Sequence, residues 1–166
     1  MQMVTPTMID FLEVCASARS EEIEQYEALT GFDWNVELVV NDLFNKPGIK
    51  FALLDGDKAG GQVISVGGWE PIISGVWQAW SVGTMEHWKT HWRSITKFSR
   101  RSADLIFAAE GTRRLQIVML ENRKKPCEWC VRGMKFMYES TLRGFGVGGE
   151  NVAMYVRIKE QSDGNI

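Results

Sequence analysis

The chain lacks several features that would assign it to a specialised class of protein. It has three cysteines, an odd and low number that argues against a disulfide framework. No apolar run approaches the ~20 residues that a membrane-spanning helix needs. Residues 1–10 do not show the basic stretch followed by an apolar one that marks a secretory leader. We therefore expect an intracellular protein with reduced thiols and no membrane partner.

Apolar and aromatic residues are plentiful by contrast. Hydrophobic residues make up 45% of the 166 residues, and seven residues are tryptophans. Disordered chains are poor in aromatic residues, and the sequence has no repeat, low-complexity segment or long linker. We expect a single domain over 1–166, with a helical part over 1–46, a sheet part over 49–159 and a polar tail over 160–166.

Helical patterns fill the first part of the chain. Thr7 is predicted to cap a helix over 8–17, because its side chain can accept a free amide of the first turn. An acidic helix is predicted to begin at Ser20 and to end at Gly31. A third helix is predicted to begin near Asn35 and to end before residues 47–48, which are Pro and Gly.

Strand patterns follow. Residues 49–54 and 63–66 predict a hairpin, since Asp55-Gly56 is typical of a tight two-residue turn. Gly67-Gly68 indicates a bulge or a close approach of two backbones. Pro71 is expected to separate this hairpin from a third antiparallel strand.

The second half of the chain contains a strand, a glycine, a helix and another strand. The third strand, over 74–80, leads through Gly83 into a long helix over 86–109, and a strand over 115–120 follows. A strand that leads through a glycine into a helix can form a site for a phosphorylated ligand. The backbone amides at the start of the helix are unpaired and carry partial positive charge. The remaining patterns predict a helix over 126–139 and a final hairpin of strands 141–147 and 151–158.

Charge is unevenly distributed along the chain. Residues 85–135 contain twelve Lys or Arg and five Asp or Glu, although the net charge of the chain is −2. Solvated surfaces explain such a division. The alternative is that Lys89, Arg93 and Lys97 contact an acidic partner. Nucleic acid is a further possibility that the acidic chain and the core spacing of most tryptophans do not favour.

A zinc site is an alternative role for the Cys and His residues. Cys127 and Cys130 have the spacing of half a site, and His87 and His91 share one face of a helix. Their order is reversed from common zinc fingers, and a long stretch separates the two pairs. We therefore expect no bound metal, with packed thiols and partly exposed imidazoles instead.

The order of these elements resembles that of the GNAT superfamily of acyl-CoA-dependent acyltransferases. Residues 76–83, the basic helix, the strand over 115–120 and residues 134–137 are together similar to the small GNAT-like bacteriophage proteins of the internal virion protein A type. The resemblance implies an α+β fold with a central, mostly antiparallel sheet. It also implies that this sheet splays between its fourth and fifth strands and is flanked by helices.

In active members of that superfamily, the loop before the long helix carries Gln/Arg-x-x-Gly-x-Gly/Ala and binds the CoA pyrophosphate. The equivalent residues 81–86 contain one glycine, and Glu86 would repel a pyrophosphate. If acetyl-CoA binds at all, the resemblance implies contacts from Trp80, Val82, Gly83, Thr84 and Met85. Otherwise Thr84 is an N-cap and Gly83 forms a tight turn.

Active members also often use a Tyr in the helix after the fifth strand to protonate the departing thiolate. The match places Phe136 at that position and Tyr138 roughly 200° further around the helix. Glu70 and Tyr138 are therefore the catalytic candidates, with Glu86 and His87 possible bases by residue type. Core packing is the alternative for the two aromatic residues.

These two departures predict a phage protein that keeps the fold, has lost acyl transfer and needs no cofactor. It would act in virion assembly, or as an internal or minor virion component, through contacts with phage structural or assembly proteins in the host cytoplasm or the virion. The alternative is an N-acetyltransferase that uses acetyl-CoA to modify a host or phage amine.

Overall fold

A computed structural model describes residues 1–56 and 60–159, apart from the side chains of residues 85–87. The predicted polar tail, residues 160–166, lies outside this part. The strands are β1 (Gln2–Val4), β2 (Ile49–Asp55), β3 (Gln62–Ile73), β4 (Val76–Gly83), β5 (Arg114–Leu120), β6 (Met137–Leu142) and β7 (Val152–Ile158). The helices are α1 (Met8–Ala16), α2 (Ser20–Thr30), α3 (Val36–Asn45), α4 (Met85–Ala108) and α5 (Lys124–Arg132).

The strands form one sheet in the order β1-β2-β3-β4-β5-β7-β6. Its neighbours are antiparallel except β4 and β5, which are parallel. The pairing of β4 with β5 begins at Val76 and Arg114 and ends at Ala79 and Ile117. Because both strands continue beyond that pair, they diverge over their last residues, which confirms the predicted splay.

The helices cover both faces of the sheet. On one face α1 and α3 pack on β2 and β3 through a cluster that includes Phe11, Val39 and Leu54, and α2 joins them. On the other face Ile95 of α4 packs on Leu53, the neighbour of Leu54 in β2. Side chains alternate between the faces of a strand, so neighbouring residues of β2 serve opposite helix layers. No helix in the described ranges is long and apolar enough to cross a membrane.

The N-terminal predictions are confirmed. Thr7 caps α1 in a reciprocal arrangement with Asp10, in which each side chain accepts a backbone amide of the other residue. Gly31 ends α2 with a left-handed φ of 77°. The side chain of Asn35 accepts the amide of Leu38 at the start of α3.

The first hairpin differs from the prediction in two respects. Asp55 pairs with Gln62, so the connection is longer than a two-residue turn, and residues 57–59 lie outside the described part. β3 also continues through Pro71, which pairs with Trp77. Proline is tolerated there because β2 pairs with β3 only as far as Trp69, so that Pro71 has a neighbouring strand on one side alone.

The helix after β5 is shorter than predicted. It ends at Arg132, and Lys135 adopts a left-handed φ of 61° before β6 begins. Met134 and Phe136 are buried in the core, and this turn out of the helix allows both apolar side chains to reach it. The final hairpin is shifted for the same reason, with strands at 137–142 and 152–158 in place of 141–147 and 151–158.

The cleft between β4 and β5

Two cavities reach the gap between β4 and β5 from opposite faces of the sheet. The cavity on the α4–α5 side is small, ≈ 100 Å³, and includes Trp129 in its lining. The cavity on the α2 side is larger, ≈ 410 Å³, and includes Tyr26. Glu22 and Gln25 line both cavities. These two side chains of α2 therefore lie between them.

A buried charge cluster holds Glu22 in that place. Its carboxylate accepts hydrogen bonds from Arg19 and from Nη2 of Arg123, the latter at 3.2 Å. The side chains of Arg19, Glu22 and Arg123 are 14%, 8% and 9% exposed. Burial lowers the pKa of both guanidinium groups, and in Arg19 the nearby charge of Arg123 lowers it further. One carboxylate thus accepts hydrogen bonds from two buried guanidinium groups, and the charges of Glu21 and Glu24 act on the same groups.

Gln25 connects this cluster to the end of β5. Its Oε1 accepts hydrogen bonds from Nη1 of Arg123 at 2.7 Å and from the amide of Leu120 at 3.3 Å. Leu120 is the last residue of β5. The strand end that diverges from β4 is therefore tied to α2 by hydrogen bonds.

The end of β4 is bound in a similar way by the α1–α2 connection. Ala18 forms a β-bridge with Thr84, and the amide of Arg19 donates to the carbonyl of Gly83 at 3.4 Å. The guanidinium of Arg19 lies over the Trp88 ring, 4.8 Å from its centroid. Arg19 therefore touches both the start of α4 and the carboxylate of α2.

The predicted cofactor residues lie at this gap, but their local roles differ from the expected ones. Trp80, Val82 and Gly83 line the smaller cavity, and the side chain of Met85 is outside the described part. Gly83 is the last residue of β4 and its φ is not left-handed, so the expectation of a tight turn is wrong. Thr84 precedes α4, yet its side chain makes no capping hydrogen bond.

Neither backbone conformation nor packing within the chain requires glycine at position 83. A Cβ atom placed there would meet Ser65, Ile64 and Trp88 at 3.9 to 4.0 Å, which is ordinary van der Waals contact. Gly68 is different, because a Cβ there would lie 2.5 Å from the carbonyl oxygen of Ile49. The predicted close backbone approach at Gly67-Gly68 is confirmed.

No tyrosine reaches the smaller cavity. The chain has three tyrosines, all within the described ranges. Tyr26 lines the larger cavity. Tyr155 is buried in the core, where burial raises its pKa. Tyr138 is exposed on β6, and its hydroxyl hydrogen-bonds to that of Thr141 at 2.8 Å.

The expectation that Phe136 and Tyr138 share the helix after β5 is wrong, because that helix ends at Arg132. Phe136 is buried and stacks on Trp69 with 6.4 Å between ring centroids. The aromatic residue that α5 directs to the smaller cavity is Trp129, whose Nε1 donates to the hydroxyl of Thr96 at 2.8 Å. An indole N–H donates a hydrogen bond but does not act as an acid at neutral pH.

Glu70, the other catalytic candidate, lines the larger cavity. Its Oε2 lies 3.5 Å from Nζ of Lys46. Asp42 lines the same cavity and accepts a hydrogen bond from the Tyr26 hydroxyl at 3.4 Å, and burial together with this carboxylate raises the pKa of Tyr26. With Glu22 the lining has three carboxylates and one lysine among the described residues, a balance that suits a cationic ligand. The side chains of Glu86 and His87 lie outside the described part.

The Cys and His residues are not brought into one ligand set by the described structure. Cys130 is buried, which raises its pKa, and the thiol of Cys127 donates to the carbonyl of Leu120 at 3.8 Å. Nε2 of His91 lies 3.3 Å from Oδ2 of Asp55. Among the residues described, no three His, Cys, Asp or Glu side chains could hold a metal ion together. The absence of a metal stays a prediction.

The sequence patterns do not predict that Arg19, Glu22 and Arg123 form a site. The spacing of Arg19 and Glu22, three residues apart, was the local signal for an ion pair. No local signal connects either residue to Arg123.

No family model matches the chain, and no curated protein matches it. Solved structures do resemble it. A spermidine N-acetyltransferase from Vibrio cholerae superimposes with a TM-score of 0.69 at 12% identity over 95% of each chain. A GCN5-related N-acetyltransferase from Brucella melitensis gives 0.70 at 17% identity, over 94% of this chain and 74% of the other.

The microcin C7 self-immunity acetyltransferase MccE, solved with acetyl-CoA and AMP, gives a TM-score of 0.71 at 12% identity, over 95% of this chain and 91% of the other. Identities this low establish the fold and not the activity. The chain has the GNAT fold, an α+β architecture in which a mixed sheet of seven strands with one parallel pair, β4 and β5, is flanked by five helices.

Proposed function

We propose that this protein is a GNAT-fold protein of a short-tailed bacteriophage that has lost acyl transfer and acts through protein contacts, in virion assembly or as an internal or minor virion component. One observation carries the loss of activity: Glu22 and Gln25, held by Arg19 and Arg123, lie in the gap between the two cavities. Acyl transfer needs that gap open, because the thioester and the acceptor amine must come within reacting distance. The phage role is supported by the similarity of the chain's segments to the internal virion protein A type.

Acetyl-CoA does not fit the cleft as it is built. The smaller cavity has a volume of ≈ 100 Å³, whereas sites for organic ligands usually have roughly 300–1,000 Å³. The larger cavity has room, but the carboxylates of Asp42 and Glu70 in its lining outweigh the single charge of Lys46 and would repel a diphosphate. Both observations favour a protein that works without this cofactor.

The placement of the tyrosines also supports lost catalysis. A positioned general acid typically contributes roughly 10²–10⁴ to a rate. The tyrosine hydroxyls lie away from the smaller cavity, and the aromatic side chain that α5 directs to it belongs to Trp129. A thiolate leaving group would therefore depart without a tyrosine acid.

The proposed contact surface is the exposed face of α4. We call it the basic stripe; it consists of Lys89, Arg93, Lys97, Arg100 and Arg101, which are all exposed. The described residues provide none of these five with an ion-pair partner. A row of unpaired cations favours association with an acidic surface.

An N-acetyltransferase is the second candidate, and a specific observation favours it. Four buried atoms have no hydrogen-bond partner in the described part: Nε of Arg19, Nε of Arg123, Oγ1 of Thr84 and Nε1 of Trp80. Thr84 directly precedes α4, and the guanidinium of Arg19 lies over Trp88 in the first turn of that helix. The start of a helix attracts anions. The acidic larger cavity would suit an amine acceptor. An anionic cofactor would satisfy several of these groups if Arg19 and Arg123 released Glu22.

Two measurements test the proposal. Acetyl-CoA mixed with purified protein and a panel of amines, including polyamines and peptide N-termini, should release no free CoA above a boiled-protein control. The second measurement uses phage particles and a variant that combines Lys89→Ala, Arg93→Ala and Lys97→Ala. Quantitative mass spectrometry should show that less of this variant than of the wild-type protein is incorporated. Circular dichroism should show an unchanged fold.

The matched control replaces three exposed cations outside the stripe, as Lys125→Ala, Arg132→Ala and Arg143→Ala. It removes the same charge and should leave incorporation unchanged. Equal incorporation of wild type and stripe variant would refute a role for the stripe. Release of CoA with a particular amine would replace the proposal with the enzyme candidate.

A further inference from the structure

We infer that the partner of the basic stripe is a second copy of this chain, and that the stripe docks in an acidic and apolar groove on the next molecule. We call this the acidic groove; it consists of Glu24, Glu27, Phe32, Asp33, Val147 and Glu150. The inference names the partner for the contacts proposed above, and so it rests on the proposed function.

The acidic groove lies between α2 and the β6–β7 connection. It has a volume of ≈ 430 Å³. The amide of Val147 donates to the carbonyl of Ala28 at 2.9 Å, which holds that connection against α2. Phe32 and Val147 are 70% and 69% exposed. The described residues of the lining include four carboxylates and no Lys or Arg. Exposed apolar side chains within an acidic rim are typical of a protein-binding surface.

The basic stripe has complementary properties. Lys89, Arg93, Lys97 and Arg101 are four residues apart, so they lie along one side of α4 over about 18 Å at the helical rise. Trp92 beside them is 46% exposed, and the Arg93 guanidinium lies over its ring, 4.9 Å from the centroid. Trp and Arg are the residues that most often dominate binding energy at protein interfaces. The volume of the groove, ≈ 430 Å³, is large enough for such an aromatic side chain.

The two surfaces cannot pair within one molecule. α2 lies with α1 and α3 on one face of the sheet, whereas α4 packs on the other face through Ile95 and Leu53. The stripe of each molecule therefore needs the groove of another. Such a contact joins two different surfaces, so it leaves a free stripe and a free groove at the ends of a dimer and extends to a ring or a filament.

Sedimentation velocity on the full-length chain at low salt tests the inference, with two charge-reversal variants. The stripe variant carries Lys89→Glu, Arg93→Glu and Lys97→Glu. The groove variant carries Glu24→Lys and Asp33→Lys, which spares Glu27 and Glu150 because both accept backbone amides. Wild type should form concentration-dependent oligomers that dissociate as salt screens the charges. Each variant alone should be monomeric, with association weakened about 100-fold.

A mixture of the two variants distinguishes this contact from general charge effects. The stripe variant keeps an intact groove, the groove variant keeps an intact stripe, and the two reversed surfaces are again opposite in charge. An equimolar mixture should therefore restore the oligomers that neither variant forms alone. The control reverses three charges outside the basic stripe, as Lys125→Glu, Arg132→Glu and Arg143→Glu in one protein. This protein should oligomerise like wild type. A symmetric contact between two stripes or two grooves would not give this pattern.

A wild-type chain that stays monomeric at low salt, or a mixture that stays monomeric, would overturn the inference. So would a stripe that binds duplex or single-stranded DNA while the protein shows no self-association. If the chain does not self-associate but the stripe variant still fails to enter phage particles, the proposed function stands without this inference. Release of CoA from acetyl-CoA would instead remove the proposed function, whatever the oligomeric state.

Discussion

Oε1 of Glu22 lies 3.2 Å from Nη2 of Arg123, although the two residues are 101 positions apart in the chain. The pair joins α2 to the segment that follows β5, across the gap at which β4 and β5 diverge. In an acyltransferase of this fold the same gap has to admit two substrates. Here Glu22, which pairs with Arg123, and the side-chain amide of Gln25 line both cavities that reach this gap.

The first prediction concerns the stability of this cluster. Glu22→Gln keeps the shape of the side chain but removes the buried carboxylate that accepts hydrogen bonds from both Arg19 and Arg123. Removing one partner of a buried ion pair costs about 3–5 kcal/mol. We expect urea unfolding to show a free energy of unfolding lower by that amount, with an unchanged dependence on urea concentration.

Glu13→Gln provides the control, because Glu13 is an exposed carboxylate on α1 that does not act on either arginine. It should change the free energy of unfolding by less than about 0.5 kcal/mol. If the two variants were equally stable, the cluster would not hold the gap closed, and the cleft would be open to ligands in solution.

Two glycine variants separate a structural requirement from a ligand requirement. Gly83→Ala should leave stability unchanged or raise it by up to about 1 kcal/mol, because a Cβ fits there and restricts the unfolded chain. Gly68→Ala should destabilise the protein by about 1–3 kcal/mol, since its Cβ would overlap the Ile49 carbonyl. Thermal unfolding of both variants checks this difference. A strongly destabilised Gly83→Ala protein would show that this glycine serves the fold.

The ion pair between Arg114 and Glu139 predicts a specific pH dependence. Hydrogen bonds from Arg114 hold the pKa of Glu139 below its usual range. A carboxylate with a lowered pKa in the folded state stabilises the protein fully above its unfolded pKa, about 4.3, and loses that contribution as the pH falls through the folded value. Glu139 is 34% exposed, so the contribution should be no more than about 1 kcal/mol.

The measurement is the difference in free energy of unfolding between wild type and Glu139→Gln. This difference should be constant from neutral pH to about pH 5 and should shrink below about pH 4. Glu110→Gln, at an exposed carboxylate outside this pair, is expected to show no such change. A difference that grows as the solution becomes acidic would contradict the assigned ion pair.

Zinc should be absent from the purified protein. Zinc binds thiolates, and burial raises the pKa of Cys130, which disfavours its thiolate. Elemental analysis of protein prepared without chelators is expected to give far less than one zinc per chain. Near-stoichiometric zinc that disappears in Cys127→Ser and His91→Ala variants would overturn the prediction.

Local features made much of the fold predictable from the sequence. The caps at Thr7, Asn35 and Gly31 depend on residues within one helix turn, and all three are confirmed. The divergence of β4 and β5 follows from the order of the elements, which the resemblance to GNAT proteins supplied. The fold is shared with solved structures that are only 12% and 17% identical to this chain, so element order is kept where few residues are.

Long-range features were not predictable in the same way. The bond between Glu22 and Arg123 depends on the packed tertiary structure, so neither residue carries a local signal for it. The end of the helix at Arg132 was missed because Met134 and Phe136 continue an apolar pattern, although the core and not the helix determines their position. The helix predicted over 126–139 placed Phe136 at the position of the general acid, whereas the aromatic side chain of α5 that lines the smaller cavity is that of Trp129.

Calorimetric titration of acetyl-CoA into the wild-type protein, with Gly83→Ala titrated in parallel, tests the central claim most directly. We expect no binding heat for either protein, because Arg123 holds Glu22 and Gln25 at the gap and the smaller cavity measures only ≈ 100 Å³. Micromolar or tighter binding to wild type that is lost in Gly83→Ala would contradict the account and would show that the cleft still holds the cofactor.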